Sequence, residues 1–342
     1  MKYDIAIIGM GITGLTTANL IHKRFPDKKM LLIEKQEIGQ GTSYYSAGFN
    51  PPLSISDQAK QSYKTSSTLI KTLAKEVGYV LPDTIDVVYM TEDRKSLIEK
   101  YCKPAEHLND TSTVPAGSIS HFFKKEIGGS FYIGKGDGSY VDARSYCEKL
   151  ANNLTANGLD INTQTYVTEL SKKGDYFQII THLSAIYESK DVIVSTGPFL
   201  NTFEPNKKIS RNKKVCAFSI NIEPEKNDCA FIFLDDEAFL LPLHKEKKWL
   251  LSITSTEWGI DPDKKITVTS EDFVMAKKVL NKYTNAFDEY IGEAIVFADN
   301  YSDQKEIKVE KNEAIYVRGT SGGGVRYAPA TGLKIIEKLG YK

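Results

Sequence analysis

The sequence predicts an α/β protein in which a domain of parallel βαβ units is interleaved with an α+β domain built on an antiparallel sheet. Apolar runs near the N-terminus alternate with a helical pattern, which is typical of βαβ units. From residue 214 to about 297, the period is mostly two, as in antiparallel strands, and one helical pattern interrupts it. A length of 342 residues is too great for one compact core and suits two domains.

The first 34 residues carry the most informative motif. A predicted strand over Tyr3–Ile8 runs into a turn of the form G-x-G-x-x-G, a helical pattern follows, and a second strand over Met30–Ile33 ends at Glu34. Such a Rossmann-like unit binds the ADP half of a dinucleotide, because the helix N-terminus offers free N–H groups and the positive end of its dipole to the phosphates. Glu34 stands where a carboxylate accepts hydrogen bonds from the ribose hydroxyls, and it would repel a 2′-phosphate.

The glycines of this turn have separate roles. Gly9 allows the tight turn, Gly11 lets a pyrophosphate approach the backbone, and Gly14 lets the helix pack closely on the strand. The alternative is a βαβ unit whose glycines serve packing only. The predicted cofactor-binding residues of the unit are Gly9, Gly11, Ile12, Thr13, Gly14, Glu34 and Lys35.

The composition is that of an ordinary globular protein. Lys plus Arg and Asp plus Glu number 44 each, so no basic excess indicates a nucleic-acid partner. The short lysine clusters at 207–208, 213–214 and 245–248 are interpreted as solvated loops. No apolar run reaches membrane-spanning length and no separate leader precedes the first strand, so we expect a cytoplasmic protein. The four cysteines and five histidines are scattered, which predicts reduced thiols and no metal site.

The remaining elements follow in chain order. Residues 39–52 are mostly small and polar and predict a long loop, a kind of segment that is usually functional. Ser56 and Asp142 are predicted helix N-caps. The pattern then predicts helices at 56–77, 94–101, 143–154, 270–283 and 331–339. It predicts strands at 86–90, 159–163, 176–181, 185–188, 191–194, 215–222, 229–234, 238–242, 249–254 and 314–317, an irregular polar segment at 103–130, a glycine-rich break at 134–138 and a glycine-rich turn at 319–324.

This order makes the chain cross between its two domains more than once. The nucleotide-binding domain is predicted to comprise residues 1–55, 140–200 and 305–342, and the substrate domain 56–139 and 201–304. A cleft between two such domains is a natural ligand site.

Four segments together resemble the D-amino-acid oxidase (DAO) superfamily of FAD-dependent oxidoreductases, which includes glycine oxidase and sarcosine oxidase. They are the N-terminal unit ending in Glu34, Gly41-Thr42-Ser43 with Ser46-Ala47-Gly48, Val194-Ser195-Thr196-Gly197, and Gly322-Gly323-Gly324 through Ala328-Pro329-Ala330-Thr331-Gly332. The segment from Ala238 to Thr254 also resembles the hairpin of the family's substrate domain. The resemblance extends over the whole chain.

The resemblance implies further cofactor contacts. Val167 matches the position whose backbone pairs with adenine in this family, with an ordinary core valine as the alternative. The implied contacts are Gly41, Thr42, Ser43, Ala47, Gly48, Val167, Thr196, Gly197, Gly323, Gly324, Val325 and Arg326.

The resemblance favours FAD over NAD, since the loop at 39–50 and the C-terminal glycine turn are both available to hold a second ring system. The N–H groups of the helix after Gly322–Gly324 are expected to face the flavin pyrimidine edge and to stabilise the negative charge of the reduced flavin. The family often attaches flavin covalently through His or Cys. Neither residue occurs in 39–55 or 314–332, so we expect non-covalent FAD.

The implied activity is hydride transfer to flavin N5 from a CH–NH or CH–OH group of a small molecule, such as an amino acid, a secondary amine or a hydroxy acid. Two alternatives stay open. One is a flavoprotein with a macromolecular substrate, such as a modified tRNA base or a carrier-tethered amino acid, and the other is an FAD-binding protein without turnover.

The expected carboxylate anchor departs from the family pattern. Relatives like glycine oxidase have an arginine before the final strand, whereas residues 298–304 contain none, and Gly322 stands where a second arginine is often found. Arg326 is the remaining candidate, either for the flavin C2 oxygen or for a substrate carboxylate, and a salt bridge to a nearby acid is the alternative.

Three further residues complete the predicted catalytic set. Tyr45, next to Tyr44, either closes over the flavin ring or serves packing. Asn50 either hydrogen-bonds near N5 or is a turn residue before Pro51. His244 is either a base or anchor, or a histidine at the tip of a surface hairpin.

Overall fold

The computed structural model describes residues 1–111, 130–203, 210–302 and 307–341. In chain order its strands are β1 Lys2–Ile8, β2 Met30–Ile33, β3 Phe49–Asn50, β4 Ile85–Met90, β5 Leu108–Thr111, β6 Phe131–Tyr140, β7 Asp160–Asn162, β8 Val167–Lys173, β9 Tyr176–Thr181, β10 Ile186–Val194, β11 Ser210–Ile220, β12 Ala230–Phe233, β13 Ala238–Leu243, β14 Lys248–Trp258, β15 Ile291–Ser302, β16 Lys308–Lys311 and β17 Ile315–Arg318. Its helices are α1 Ile12–Arg24, α2 Thr42–Tyr45, α3 Asp57–Glu76, α4 Arg94–Lys100, α5 Ala143–Ala156, α6 Ser270–Leu280, α7 Ala286–Tyr290 and α8 Gly324–Leu339.

The first sheet has a parallel core with the strand order β17-β10-β1-β2-β7. Strand β16 pairs antiparallel with β17 at one edge, and the β8-β9 hairpin pairs with the first half of β10. Because the core strands are parallel, their carboxyl ends meet at one edge of the sheet. Ligands of open α/β sheets bind at that edge.

Both faces of this sheet are covered. Helices α1, α3, α5 and α8 pack on one face, and the β8-β9 hairpin contributes Val167, Phe177 and Ile179 to the core on the other. Helix α3 was assigned to the substrate domain from the sequence, yet its Ile70 and Leu73 belong to the first core. The amphipathic pattern of a helix gives no information about which domain its apolar face covers, so the predicted boundary at residue 55 could not anticipate this packing.

The second sheet has the order β15-β11-β14-β13-β12-β4-β6-β3, with β5 paired to β6. All neighbours are antiparallel except β12 and β4. Helices α6 and α7 pack on one face of the β11-β14 region, over a core that includes Phe218 and Trp249. Strands β11, β14 and β15 turn their opposite face toward the first domain and line the cleft described below.

The two-domain α/β architecture predicted from the sequence is confirmed, and most predicted elements lie within one to four residues of the observed ones. Ser56 and Asp142 act as N-caps, since their side chains accept hydrogen bonds from Ala59 N and Ser145 N. The runs at 185–188 and 191–194 are one strand, β10. Strands β5, β8 and β15, as well as α2 and β3 within the predicted loop at 39–52, were not predicted as elements.

The predicted glycine break at 134–138 was wrong, because strand β6 runs through it. The β4-β6 register shifts between Ile85/Val87 and Gly138/Gly134, so the extra residues form a bulge. Gly136 has a φ of +59° there, and its N–H donates to Asp86 Oδ1. The glycines thus bend the strand instead of ending it.

The last helix begins seven residues earlier than predicted. Pro329 lies inside α8 instead of near its start, at its sixth residue. Pro329 has no N–H, so the helix lacks one hydrogen bond to the carbonyl of Val325. This single loss does not end the helix, although a proline often marks a helix boundary. The interpretation of the lysines at 213–214 as a solvated loop was wrong, because both lie in β11 and are buried. The lysines at 207–208, the boundary at 304/305 and residues 112–129 of the predicted irregular segment lie outside the described residues.

Candidate functional site

The glycine turn after β1 has the predicted backbone geometry. Gly9 has a φ of +98°, and a Cβ at this position would lie 2.6 Å from Ser195 O. A Cβ on Gly14 would overlap Gly9 O, so this glycine allows helix α1 to approach the turn. Gly11 caps α1 with an extended backbone, φ −72° and ψ −177°, and a Cβ there would lie 3.0 Å from Ser43 Oγ. The fold therefore requires glycine at positions 9 and 14. At position 11 the fold leaves room for a side chain, so a glycine there keeps space for a ligand.

Glu34 at the end of β2 is held by the backbone around it. Its Oε2 accepts from Met10 N at 2.7 Å and its Oε1 accepts from Gln36 N at 3.0 Å. Burial raises the pKa of Glu34 against the lowering effect of these hydrogen bonds. Each carboxylate oxygen retains a lone pair for a further donor. The side chain is thus fixed in place and can still accept from a ligand hydroxyl.

A cavity of about 510 Å³ opens at the carboxyl edge of the parallel sheet. Its walls come from the glycine turn, the loop before α2, the end of β10 and the start of β8. The predicted cofactor residues that line it are Gly9, Gly11, Ile12, Thr13, Glu34, Lys35, Gly41, Thr42, Ser43, Val167, Thr196, Gly197 and Gly324. Gly14 and Gly323 stand behind the walls, where each fits a close packing contact.

An ion pair between the two domains forms part of the wall of this first cavity. Lys35 Nζ lies 2.5 Å from Asp263 Oδ1, and the same ammonium lies 4.3 Å from the ring centroid of Phe199. Asp263 belongs to the segment between β14 and α6, and all three residues line the cavity. Lys35 therefore contacts the substrate domain as well as the cavity.

A second cavity of about 380 Å³ adjoins the first. Its walls combine the 42–55 loop and the start of α8 with the inner face of β11, β13, β14 and β15. The two cavities share five residues, which are Ile12, Thr42, Ser43, Asp299 and Gly324. Together they form one elongated site that runs from the parallel sheet of the first domain to the antiparallel sheet of the second.

The C-terminal glycine turn is organised by strand β15. Asp299 Oδ2 accepts from Gly322 N at 2.7 Å, and Asp299 Oδ1 accepts from Thr320 Oγ1 at 2.8 Å. Gly323 N donates to Thr320 O. The N–H groups of Gly322 and Gly323 are therefore used within the protein, and the expectation of N–H groups that face a flavin concerns the helix that follows them. The first turn of α8, from Gly324 onward, remains directed toward the junction of the cavities.

Arg326 lines the second cavity from the first turn of α8. Its Nη1 donates to Leu53 O at 2.7 Å, and its Nε is buried without a hydrogen-bond partner among the described residues. No ion pair of the described residues involves Arg326, so the predicted alternative of a salt bridge to a nearby acid is not what the structure shows. A guanidinium oriented in this way retains donors for an anionic ligand.

Tyr45 contributes an aromatic wall to the second cavity. Its ring stacks on Phe297 with centroids 5.8 Å apart and an interplanar angle of 17°. Ala47 and Gly48 line the same cavity, as does Val325. A Cβ on Gly48, with φ +60°, would overlap Val141 O, so this glycine fixes the path of the loop.

Two predicted catalytic residues are not brought to either cavity. Asn50 is buried in β3, where it pairs with Ser139, and His244 lies in the turn between β13 and β14. A position next to a functional loop does not determine which way a short strand turns its side chains. His244 therefore corresponds to the hairpin-tip alternative, and Asn50 to a buried strand residue with an unpaired Oδ1.

The sequence did not point to several residues of the site. Asp299, Asn300, Thr320, Phe199 and Asp263 line the first cavity, and Lys213, Phe297 and Tyr301 line the second. The one available signal was the pair Asp299-Asn300 at the end of an apolar run, since buried strands rarely carry two polar residues without a partner.

The residues present fit a bound dinucleotide. Besides Arg326 Nε, the buried Thr196 Oγ1 in the wall of the first cavity has no partner among the described residues, so each cavity has a polar atom in need of a ligand. Gly41 and Gly197 border open space, with φ values of +79° and +56°. Helix α1 starts in the same wall, which suits phosphates.

Within the described ranges, no group of three or more His, Cys, Asp or Glu side chains is placed to hold a metal ion. No helix among the described residues is long and apolar enough to cross a membrane. The four cysteines are buried, and no disulfide joins them.

Comparisons with known proteins agree with this geometry. A family model described as FAD dependent oxidoreductase (DAO) matches residues 4–338. The fold is similar to that of L-proline dehydrogenase from P. horikoshii, at 19% identity and a TM-score of 0.82 over 98% of this chain and 94% of that one. It is also similar to glycine oxidase from Geobacillus kaustophilus, at 14% identity and a TM-score of 0.79 over 99% and 95%.

A third similar structure contains the cofactor. It is dithionite-reduced L-alpha-glycerophosphate oxidase from Mycoplasma pneumoniae with FAD bound, at 15% identity and a TM-score of 0.83 over 100% of this chain and 96% of that one. No curated protein gives a significant sequence match to this chain.

Proposed function

The chain belongs to the DAO family of FAD-dependent oxidoreductases, and on that premise we propose that it oxidises a CH–NH or CH–OH group of a small, carboxylate-bearing molecule such as an amino acid. The observation that carries the substrate side of this proposal is Arg326. It places a guanidinium with a buried, unpartnered Nε in the wall of the second cavity.

FAD is the cofactor of this family, and the elongated site divides naturally between its two halves. We assign the first cavity to the ADP half, with the α1 N-terminus at the phosphates and Glu34 at the ribose hydroxyls. The second cavity takes the isoalloxazine ring and the substrate. Bound FAD supplies a two-electron acceptor. Covalent attachment of a flavin needs a side chain such as His or Cys, and neither residue occurs in 39–55 or 314–332. We therefore propose that the FAD is held non-covalently.

The chain's own residues act by binding and orientation. Arg326 binds the substrate carboxylate through charge-assisted hydrogen bonds, which orients the adjacent carbon. Tyr45 and Phe297 form a flat apolar wall that excludes water from the reacting carbon. The 42–55 loop supplies both Tyr45 and the carbonyl of Leu53 that holds Arg326, so one segment positions the anchor and the wall.

The solved structures with similar folds support this reading at the level of fold. Proline dehydrogenase and glycine oxidase are named for amino-acid substrates, and glycerophosphate oxidase is named for an alcohol substrate with an anionic group. An anion anchor near a reducible ring suits all three substrate types. The neutral charge of this chain favours none of the nucleic-acid alternatives.

The test is anaerobic flavin reduction by matched substrates. Amino acids, N-methyl amino acids and 2-hydroxy acids are mixed with the holoenzyme, each beside its analogue without the carboxylate. We expect bleaching at 450 nm only by carboxylated compounds. Arg326→Met should weaken their apparent affinity about ten- to hundredfold, since a charged hydrogen bond contributes about 1.5–3 kcal/mol.

Lys334→Met is the matched control, because Lys334 lies on the same helix and contacts Ser62 instead of the cavity. It should behave as the wild type. The proposal is contradicted if analogues without a carboxylate bleach the flavin equally well, or if Arg326→Met affects both sets equally. A flavin that dithionite reduces but no small molecule bleaches would favour the macromolecular or non-catalytic alternatives.

A further inference from the structure

Asp299 is a buried carboxylate at the centre of the site to which the proposed function gives no role. It lies in β15, is 2% exposed, and is one of the five residues that line both cavities. No cationic side chain of the described residues forms an ion pair with it. A carboxylate in such a place is costly unless several donors hold it.

The donors that hold Asp299 come almost entirely from the turn before α8. They are Thr320 Oγ1 at 2.8 Å, Gly322 N at 2.7 Å and the adjacent Asn300 N at 2.9 Å. Asn300 continues the same clamp, since its Oδ1 accepts from Gly319 N and its main-chain O accepts from Ser321 N. Two consecutive residues of β15 thus bind every residue of the 319–322 turn.

The turn needs such a clamp because its backbone is unfavourable. Gly319, Ser321 and Gly322 have φ values of +67°, +48° and +75°. Ser321 is not glycine, so its left-handed conformation requires support from its surroundings. The turn leads directly into Gly324, where α8 begins and where the cavities join. The direction of the first turn of α8 therefore depends on contacts made by Asp299 and Asn300.

The charge of Asp299 has a second consequence. Inside a protein, a charge that water does not screen acts over several ångströms. Burial raises the pKa of Asp299 against the lowering effect of the hydrogen bonds from Gly322, Thr320 and Asn300. In its ionised form, the carboxylate in the wall shared by both cavities opposes the arrival of further negative charge between them, whereas the N-terminus of α8 favours it. Asp299 and α8 consequently have opposite effects on the stability of a reduced, anionic flavin.

We propose that Asp299 is a positioning residue of the FAD site, which clamps the 319–322 turn so that α8 is aimed at the cavity junction and whose negative charge lowers the reduction potential of the bound flavin. The proposal concerns the cofactor and does not depend on which substrate the enzyme oxidises. The positive charge of Arg326 and the N-terminus of α8 raise the reduction potential of the flavin, and the negative charge of Asp299 limits that increase.

The test compares Asp299→Asn with the wild type in three measurements. The flavin potential is measured by dye equilibration during reduction with xanthine and xanthine oxidase, so no substrate of the enzyme is needed. FAD affinity is measured by fluorescence titration of the apoprotein, and thermal unfolding is measured on the same apoprotein. We expect a more positive potential and an FAD dissociation constant raised about ten- to hundredfold.

Thr320→Val is the matched control, because it removes one hydrogen bond of the clamp and keeps the carboxylate. It should lower the melting temperature without a shift to a more positive potential. A purely structural role for Asp299 predicts that both variants lose stability with the wild-type potential, and this result would overturn the proposal.

A second pair covers the case in which Asp299→Asn does not fold. Asp299→Glu and Asp299→Gln add the same methylene and disturb packing equally, so they differ mainly in charge. The Gln variant should have the more positive potential. Equal potentials in this pair would also overturn the proposal.

Discussion

Gly11 differs from Gly9 and Gly14 because the fold itself has room for a side chain at its position. Its φ of −72° and ψ of −177° suit any residue, and the nearest atom to an added Cβ is Ser43 Oγ, the end of a flexible side chain. Gly9 and Gly14, in contrast, face backbone atoms of the fold itself. The fold therefore tolerates a side chain at position 11, and we expect that bound FAD would not.

Gly11→Val should consequently abolish FAD binding while leaving the apoprotein folded. The two methyl groups would occupy the path of the pyrophosphate along the N-terminus of α1. Gly11→Ala should bind FAD with reduced affinity, since Ser43 can move aside. Fluorescence titration and apoprotein melting curves separate the two effects. Full flavin occupancy in Gly11→Val would show that the phosphates lie elsewhere.

At this scale the sequence predicted the residues whose role is local. The glycine turn, Glu34 and the 41–43 segment have fixed spacings, so their positions relative to the helix follow from the chain itself. Asp299 could not be predicted in the same way. Its partners Thr320 and Gly322 lie more than twenty residues away, and only the return of the chain from the second domain brings them together.

A buried ion pair joins helix α6 to strand β11. Lys214 is 1% exposed and lies 2.6 Å from the equally buried carboxylate of Asp272, with Glu257 as a second partner. Burial alone would raise the pKa of Asp272, but hydrogen bonds from Lys214 and Thr269 outweigh it and hold this pKa below its usual value. The ion pair thus connects the N-terminal end of α6 to the sheet.

Lys214→Met should destabilise the protein by about 3–5 kcal/mol, because it leaves the Asp272 carboxylate buried without its counter-charge. Lys277 lies on α6 like Asp272 and forms an exposed ion pair with Asp288 of α7. Lys277→Met should change stability by less than about 1 kcal/mol. Denaturant unfolding of the apoprotein measures both. Equal, small losses in the two variants would contradict this account of the pair.

The pH dependence of this effect has a defined sign. A carboxyl group whose pKa is lowered in the folded state stabilises the protein above its unfolded pKa, about 3.9, and loses that contribution as the pH falls through the lower folded value. The difference between wild type and Lys214→Met should therefore shrink on acidification, because Asp272 in the variant is buried without its counter-charge and takes up its proton at a higher pH than the wild-type carboxylate does. A difference that grows on acidification would contradict the assignment.

Helices and strands were predicted well where hydrophobic burial or N-capping alone determines the element. Strand Met30–Ile33 and the capped helices after Ser56 and Asp142 follow from burial and capping. The errors occur where a glycine or proline has a second function. The glycines at 134–138 form a bulge within β6, and Pro329 is accommodated inside α8, so residues that usually end an element are part of one.

At the scale of the whole molecule, the Lys35–Asp263 ion pair joins the two domains in the wall of the first cavity. Both side chains are partly exposed, so the pair contributes about 0.2–1 kcal/mol. If FAD leaves the first cavity on the side of this ion pair, the pair must break before FAD is released.

Asp263→Lys should therefore accelerate FAD release about two- to fivefold, and the charge-reversed double variant Lys35→Asp/Asp263→Lys should restore much of the wild-type rate. Stopped-flow transfer of FAD to an excess apoflavoprotein acceptor measures the rate. Lys23→Asp, which breaks the exposed Lys23–Glu76 pair between α1 and α3, is the control and should not change it. If Asp263→Lys slowed release, long-range attraction of the phosphates would be the stronger effect and the pair would not act as a closure.

The sequence anticipated the interleaving of two domains, because parallel and antiparallel patterns alternate along the chain. It did not anticipate that α3 packs in the first domain, or that the second sheet supplies Asp299 at the junction of the cavities. Such contacts depend on how the domains meet, and a pattern read along one chain does not contain that information.

We propose that the two adjoining cavities hold one FAD without a covalent bond. The most direct measurement is acid precipitation of the purified, yellow protein, followed by chromatography of the supernatant and of the digested pellet. The account predicts FAD in the supernatant, at one molecule per chain, and no flavin in the pellet. Flavin that stays with the pellet, FMN in place of FAD, or a colourless protein that takes up no added FAD would contradict it.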